Sequence, residues 1–201
     1  MSPARRAARK TPPRKNPPRE AASRTSAGQA PAASRAGEPR RCWLVKSNPG
    51  SYSIADLERD GRTAWDGVRN YQARNILRDE MQPGDPVLYY HSSVEPMAIV
   101  GRARVAGPAR PDASAFDRAD DHYDPDSDPA DPRWFERDLV HVETFAVPLD
   151  RRLLTAERAL ADMLLLQRGS RLSVQPVTPR QYEAVLALSA RAARTARTTR
   201  A

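Results

Sequence analysis

Apolar residues between positions 41 and 188 come in short runs separated by clusters of turn-forming residues, a rhythm that suits strands better than long helices. Cys42-Trp-Leu-Val-Lys46 is one such run, and Ser47-Asn-Pro-Gly-Ser51 closes it, which predicts a strand that delivers Lys46 and Ser47 to its end. Ser53 followed by Asp56 has the form of a capping box, predicting a short helix over 54–59 stopped by Asp60-Gly61. Asn70 is placed to cap a second helix in which Ala73, Ile76, Leu77 and Met81 share one face and Arg74 and Arg78 another. Those two arginines are either a solvated flank or phosphate contacts.

Pro86 to His91 reads as a strand after the turn Gln82-Pro-Gly-Asp85, and Pro96 to Val105 reads as its antiparallel partner. Their short polar connection brings His91 and Ser92 to a rim. Strand character returns from Arg133 to Phe145, with Val140 and Val142 facing opposite to His141 and Glu143. A helix led by Thr155 toward Met163 follows, then a last strand reached through 168–174. Thr178-Pro179 with Gln181 supplies a cap, a first-turn proline and a capping-box partner for a terminal helix over 179–188, with Tyr182, Val185 and Leu186 inward. Many short strands, no internal repeat and no βαβ alternation predict one α+β domain: a small mixed β-barrel, open or closed, with flanking helices.

Charge alters the picture only at the ends. The chain has 201 residues, 19 prolines and a net charge of +8. Residues 1–40 hold 10 basic and 2 acidic side chains, few large apolar residues and two Pro-Pro pairs, so they are read as a disordered tail. Within it Arg5, Arg6, Arg9, Lys10, Arg14 and Lys15 suit weak, sequence-independent phosphate contact that salt removes, or a solvated linker. Residues 189–201 carry four arginines and no acid and are read as a second basic tail. The 148 residues between hold 19 basic against 23 acidic side chains, so the folded part is expected to be slightly acidic. No apolar run reaches the roughly 20 residues of a membrane span, and none forms a secretory signal. Cys42, the single cysteine, is expected as a buried strand thiol in a reducing compartment.

Several chemistries lack a foothold. Asp124, Asp126 and Asp128 have the opening spacing of a calcium loop, but Pro129 and Phe135 stand where that loop needs Gly and Glu, so turn capping is expected there. Histidines 91, 122 and 141 are scattered, and no Cys-x-x-Cys, phosphate-binding glycine loop or nucleophile elbow occurs. A Ser47–His91 or Ser173–His91 pair would still need an orienting carboxylate and an oxyanion hole. The run Trp65-Asp-Gly-Val-Arg-Asn-Tyr-Gln-Ala-Arg74 is more informative. Aromatic faces, an amide and an arginine around one glycine turn suit a flat, polar ring, although Trp65 and Tyr71 as core aromatics with Asn70 as a simple cap is an equal reading.

Taken in order, Trp43-Leu-Val-Lys-Ser-Asn-Pro49, Trp65 to Asn75, Tyr89-Tyr-His-Ser92, the loop Tyr123-Asp-Pro-Asp-Ser-Asp-Pro129 and Arg171-Leu-Ser-Val-Gln-Pro-Val177 closely resemble the EVE domain family over about residues 42–188. The resemblance implies the PUA-like fold and a non-catalytic reader of modified bases, a modified cytosine in DNA ahead of modified RNA. It further implies a pocket built from Lys46, Ser47, Trp65, Val68, Arg69, Asn70, Tyr71, Tyr90, His91, Ser92, Arg171, Leu172 and Ser173. In that pocket Trp65 would stack or wall the base, Asn70 and Ser47 would meet its edge, and Lys46, Arg69 and Arg171 would meet phosphate or carbonyl oxygens; His91 would contact the base or brace a loop. Asn48 departs from the Glu usual in the family, and Gln175 from Met, the latter expected outside the pocket. The expected partner is nucleic acid, with no cofactor, no metal and no membrane, for a monomer that relies on a separate effector. The expected location is a bacterial cytoplasm or nucleoid, or a nucleus in a eukaryote. An RNA-modification accessory protein and a small-ligand enzyme are the other readings.

Overall fold

A computed structural model describes residues 41–199. The six basic residues singled out between Arg5 and Lys15, and Arg200, lie outside them. Seven strands occur among the described residues: β1 (Cys42–Ser47), β2 (Arg62–Trp65), β3 (Pro86–His91), β4 (Ala98–Val105), β5 (Arg110–Pro111), β6 (Phe135–Asp150) and β7 (Val174–Val177). They are ordered β2-β6-β4-β3-β1-β7, with β5 added to β6. Only β1 and β3 pair in parallel; the other pairings are antiparallel. This is the expected mixed sheet with flanking helices, in which β2 and β7 are the two end strands.

Strand alternation divides the core. Trp43 and Val45 of β1, with Val87 and Tyr89 of β3, enter one apolar cluster; Cys42 and Leu44, with Leu88 and Tyr90, enter another. The first cluster is completed by α1 (Ile54–Asp60) and α2 (Tyr71–Asn75), through Ile54, Leu57 and Ala73. The second is completed by α3 (Arg151–Ala156) and α4 (Pro179–Thr199), through Leu154, Tyr182, Val185 and Leu188. Burial pushes the Cys42 thiol up to about 11, which makes it an inert core residue.

The helix starts follow their caps. Ser53 Oγ accepts from the Asp56 backbone N–H while Asp56 accepts from the Ser53 N–H, at 3.1 and 2.9 Å, completing the box predicted for α1. Asn70 Oδ1 accepts from the Ala73 N–H at 3.0 Å. Beyond α2 the chain widens into a π-helical turn over Ile76–Glu80, closed by the Met81 N–H on the Ile76 carbonyl, and Ile76, Leu77 and Met81 are buried as the periodicity required. Thr178 and Gln181 exchange the two capping hydrogen bonds expected of them.

Three sequence expectations are corrected. The helix expected from Thr155 begins at Arg151, because Asp150 accepts from the Leu153 N–H at 2.8 Å and caps it first. Thr155 sits inside it, its hydroxyl donating back to the Arg151 carbonyl. The terminal helix does not stop at 188. It runs to Thr199 because residues 180–197, rich in Ala, Arg and Leu and free of Gly and Pro, favour helix throughout. The last strand, Val174–Val177, is reached through the loop 168–173 as expected. Finally, β6 extends for 16 residues and its central alternation fails: Val142 is exposed, because register shifts in the β4–β6 pairing break the simple period. Gly101 lies at that irregularity, where a Cβ would stand 2.4 Å from the Glu143 carbonyl oxygen.

Arg137, on β6, is buried and donates to the carbonyls of Leu77 at 2.6 Å and Gly107 at 3.0 Å, tying the end of the π-turn to the sheet. Replacing it by Met fills similar space but leaves two buried carbonyls without donors. Arg137→Met is expected to lower unfolding free energy by about 3 kcal/mol in urea titrations, and an unchanged midpoint and slope would exclude this role.

Candidate nucleic-acid interface

The ends of β1 and β3 place a group of side chains on the α1 side of the sheet. Trp65, buried at the end of β2, meets Tyr89 edge-on with ring centroids 5.5 Å apart, and Tyr89 in turn meets His91 at 5.9 Å. Val68 and Leu172 belong to the same apolar cluster as Trp65 and Tyr89, with half-buried Tyr52 packed against it. Polar groups sit at its edge. Ser47 Oγ donates to the Tyr52 carbonyl at 2.5 Å, and the Tyr89 hydroxyl donates to the same oxygen at 3.0 Å. Ser92 donates to the Ser47 carbonyl through both its N–H, at 2.8 Å, and its hydroxyl, at 3.2 Å. The loop 168–173 is stitched to β1 by the Lys46 N–H on the Ser173 carbonyl, at 2.9 Å, and by Lys46 Nζ on the Ser170 carbonyl, at 3.1 Å. Gln175 is buried and donates to Ser170 Oγ and to the Leu172 carbonyl, so it holds that loop in shape.

Nine of the expected residues therefore gather: Lys46, Ser47, Trp65, Val68, His91, Ser92, Leu172 and Ser173 are joined by the contacts above, and Asn70 follows directly on the Trp65 turn. Asn70 is exposed, its oxygen spent on the α2 cap, which leaves its amide N–H groups for a ligand edge. Arg171 is exposed, with no ion pair among the described residues.

Three expected residues are placed elsewhere. Tyr90 lies in the second cluster, on the opposite face of the sheet, because one step along β3 reverses the side chain; Tyr89 takes the place expected of it. Arg69 is turned onto the loop 112–134 rather than left for phosphate. Its Nη1 pairs with Asp112 at 2.7 Å, Nη2 donates to Ser114 Oγ at 2.9 Å, and Nε donates to the His122 carbonyl at 2.8 Å. Tyr71 stacks on Trp134 at 5.0 Å, with Arg69 over the Trp134 ring and Arg74 over Tyr71. The result is a clamp of two guanidinium groups and two aromatic rings. Arg74 also donates to the Arg133 carbonyl, whereas Arg78 pairs with its neighbour Asp79 on an exposed flank.

Asp112 is fully buried and accepts from the N–H groups of Gly67 and Ser114, from Ser114 Oγ and from Arg69. Burial alone would raise its carboxyl, but these hydrogen bonds outweigh it and hold the group below the usual carboxylate range. Gly67 has φ of +68°, and a Cβ there would stand 2.9 Å from the His122 ring, so the turn after Trp65 requires glycine. Asp66, Asp112 and Glu136 bring carboxylate oxygens within 4.8 Å of one another, a trio drawn from three separate segments. Arg69 on Asp112 and Arg110 on Glu136 neutralise two of the three. The aspartates of the acidic loop instead cap turns: Asp124 accepts from the Asp126 N–H and Asp128 from the Ala130 N–H, while Trp134 Nε1 donates to Asp124 at 2.5 Å. An open cleft of about 420 Å³ between α4 and β6, bordered by Arg102, Glu143, Phe145 and Arg197, contains none of the expected site residues.

His91 Nε2 accepts the Ile54 backbone N–H at 3.1 Å, which assigns the ring proton to Nδ1 and makes the residue a brace for the start of α1. Burial lowers its pKa. The neutral form therefore supplies stability that is complete above the unfolded value of about 6.5 and is lost as pH falls through the lower folded value. His91→Gln keeps an acceptor that does not titrate in this range. Thermal melts should show the wild type losing stability relative to His91→Gln as pH drops from about 7 to 5; parallel profiles would sink the assignment.

The EVE domain family model matches residues 41–188. Mouse thymocyte nuclear protein 1 is 38% identical over 166 residues, spanning 73% of this chain and 72% of the mouse protein. A crystal structure from Pseudomonas putida aligns at 44% identity with a TM-score of 0.71, covering 73% of this chain and 98% of the other. The human THYN1 protein in complex with DNA containing 5-methylcytosine aligns at 34% identity with a TM-score of 0.69, covering 74% of this chain and 97% of the human one. Match length, identity and fold agree, and the chain belongs to the EVE domain family.

Proposed function

We propose that this protein reads a modified cytosine in DNA, 5-methylcytosine first, by holding the base against Trp65 in the recess at the ends of β1 and β3. The observation that carries this reading is the pairing of an apolar wall, Trp65, Val68 and Leu172, with polar groups at its edge, Lys46, Ser47 and Asn70. A methylated pyrimidine needs both. Its ring and methyl group gain from an apolar wall, and its edge demands donors and acceptors. The human relative solved with 5-methylcytosine DNA supports the choice of ligand. Lys46 is raised in importance by the loss of Arg69: burial lowers the pKa of its ammonium, and its one hydrogen bond leaves two donors for a carbonyl or phosphate oxygen.

The protein acts as a binder and not as a catalyst. Ser47 and Ser92 hydroxyls donate to backbone carbonyls, and His91 Nε2 is occupied by the Ile54 N–H, so no serine is activated by His91. It functions as a monomer where DNA is, in a bacterial cytoplasm or nucleoid or in the nucleus of a eukaryote, and any consequence of reading is delivered by a separate effector. Among the described residues no helix is long and apolar enough to cross a membrane.

The test is binding of the full chain at about 150 mM salt to matched oligonucleotides carrying cytosine, 5-methylcytosine or 5-hydroxymethylcytosine, as single strands, duplexes and RNA. Preference for 5-methylcytosine DNA is expected. Trp65→Phe, chosen because Trp65 is also core, should weaken that binding about tenfold while leaving the salt dependence unchanged. Equal affinity for all three bases would refute the reading, and selective RNA binding would move it to a modified-RNA reader.

A further inference from the structure

We infer that the loop between β3 and β4, residues 92–97, is an apolar wedge that enters the duplex and fills the space left by the extruded base, with Val94 and Met97 as the inserted side chains. This rests on the base-holding reading of the neighbouring recess and adds to it how a paired base is reached.

Position is the first argument. The loop starts at Ser92, which is fastened by two hydrogen bonds to the Ser47 carbonyl at the edge of the recess. It closes where His91 and Ala98 pair across β3 and β4. Both ends are thus anchored beside the proposed base site, and His91 at its base is itself fixed to α1. Ser93, with φ of +60°, turns the chain at the start of the projection.

Composition is the second. Residues 93–97 are exposed without interruption, and three of the five are apolar: Val94, Pro96 and Met97. Among the described residues four large apolar side chains are exposed, Tyr71, Val94, Met97 and Val142; two of those four fall in this one short loop. Tyr71 is already stacked on Trp134, which leaves the loop as the one paired apolar projection of the set. The single charge in the loop is Glu95, so the segment is unsuited to phosphate contact. What it offers a duplex is apolar surface. Side chains such as Met and Pro inserted between base steps offset the stacking lost when neighbouring bases part. A base removed from a duplex leaves such a gap, whereas a single strand leaves none.

That asymmetry gives the test. Val94→Ser/Met97→Ser in the full chain should weaken binding to a duplex with one central 5-methylcytosine about tenfold, about 1.4 kcal/mol, while binding to the same single strand stays within about twofold. Val94→Ile/Met97→Leu, which keeps apolar bulk, should retain wild-type duplex affinity. In parallel, 2-aminopurine placed beside the target base should brighten on wild-type binding and stay quenched with the serine variant. Because both residues are exposed, circular dichroism melts of the variants should overlay the wild type. Equal losses on duplex and single strand, or none on either, would overturn the wedge. If the wild type instead prefers 5-methylcytosine on neither form, the recess reading fails and the wedge with it; a preference on single strands with no wedge effect leaves the recess standing alone.

Discussion

The Asp112 carboxylate is the point on which the candidate site depends. It is fully buried, and four donors converge on it: the N–H groups of Gly67 and Ser114, the Ser114 hydroxyl and the Arg69 guanidinium. An ionised carboxylate removed from water is stable only with such a set, and its donors come from two segments more than 40 residues apart. Gly67 carries the turn after Trp65, while Arg69 carries the His122 carbonyl and, through Trp134, the Tyr71 stack. One buried charge therefore fixes the direction in which the chain leaves Trp65 and the docking of the long acidic loop beside it. Two parts far apart in sequence become one wall.

The sheet supplies the second constraint. Because side chains alternate along β1 and β3, each strand feeds both cores, and the two faces acquire different duties. The face holding Trp43, Tyr89 and Trp65 ends at the polar edge formed by Ser47, His91 and Ser92. The face holding Leu44, Tyr90 and Phe145 is covered by α3 and α4. The candidate site gathers at the edge of the first face, while the open cleft between α4 and β6 lies on the second, beside Phe145.

Local chemistry made much of this legible. The capping boxes at Ser53 and Thr178, the Asn70 cap, the buried face of Ala73, Ile76 and Leu77, and the strands beginning at Cys42 and Pro86 all follow from interactions spanning four residues or fewer. The resemblance to the EVE domain family is what implied Lys46, Ser47, Trp65, His91 and Leu172 together, while turn clusters marked Lys46, Ser47 and His91 as strand ends. What escaped sequence reasoning was set by distant partners. Arg69 looked free because Asp112 is 43 positions away. Trp134, 63 residues beyond Tyr71, could not be foreseen as its stacking partner. Tyr89 and Tyr90 could have been told apart, since period two puts Tyr89 with His91; the adjacent pair of tyrosines obscured a signal that was present. Thr155 lost the helix start to Asp150 because a charged carboxylate is the better acceptor at a cap.

Charge separates the tasks of affinity and discrimination. Residues 41–188 are acidic on balance, and many of their arginines are spent internally: Arg69 on Asp112, Arg110 and Arg62 on Asp138, Arg137 on backbone carbonyls. A domain with more acidic than basic side chains gains less from the polyanionic backbone that dominates nucleic-acid affinity. Lys46 lies at the candidate site, and Arg171 is on the loop that Lys46 holds. Arg194 and Arg197, without carboxylate partners among the described residues, lie on α4, across the sheet from Trp65. Contacts to the base then carry a larger share of the binding energy, and that share is the part that can differ between one base and another. Under the proposed function, weak attraction to every phosphate serves discrimination better than strong attraction, because nonspecific affinity rewards all sites alike.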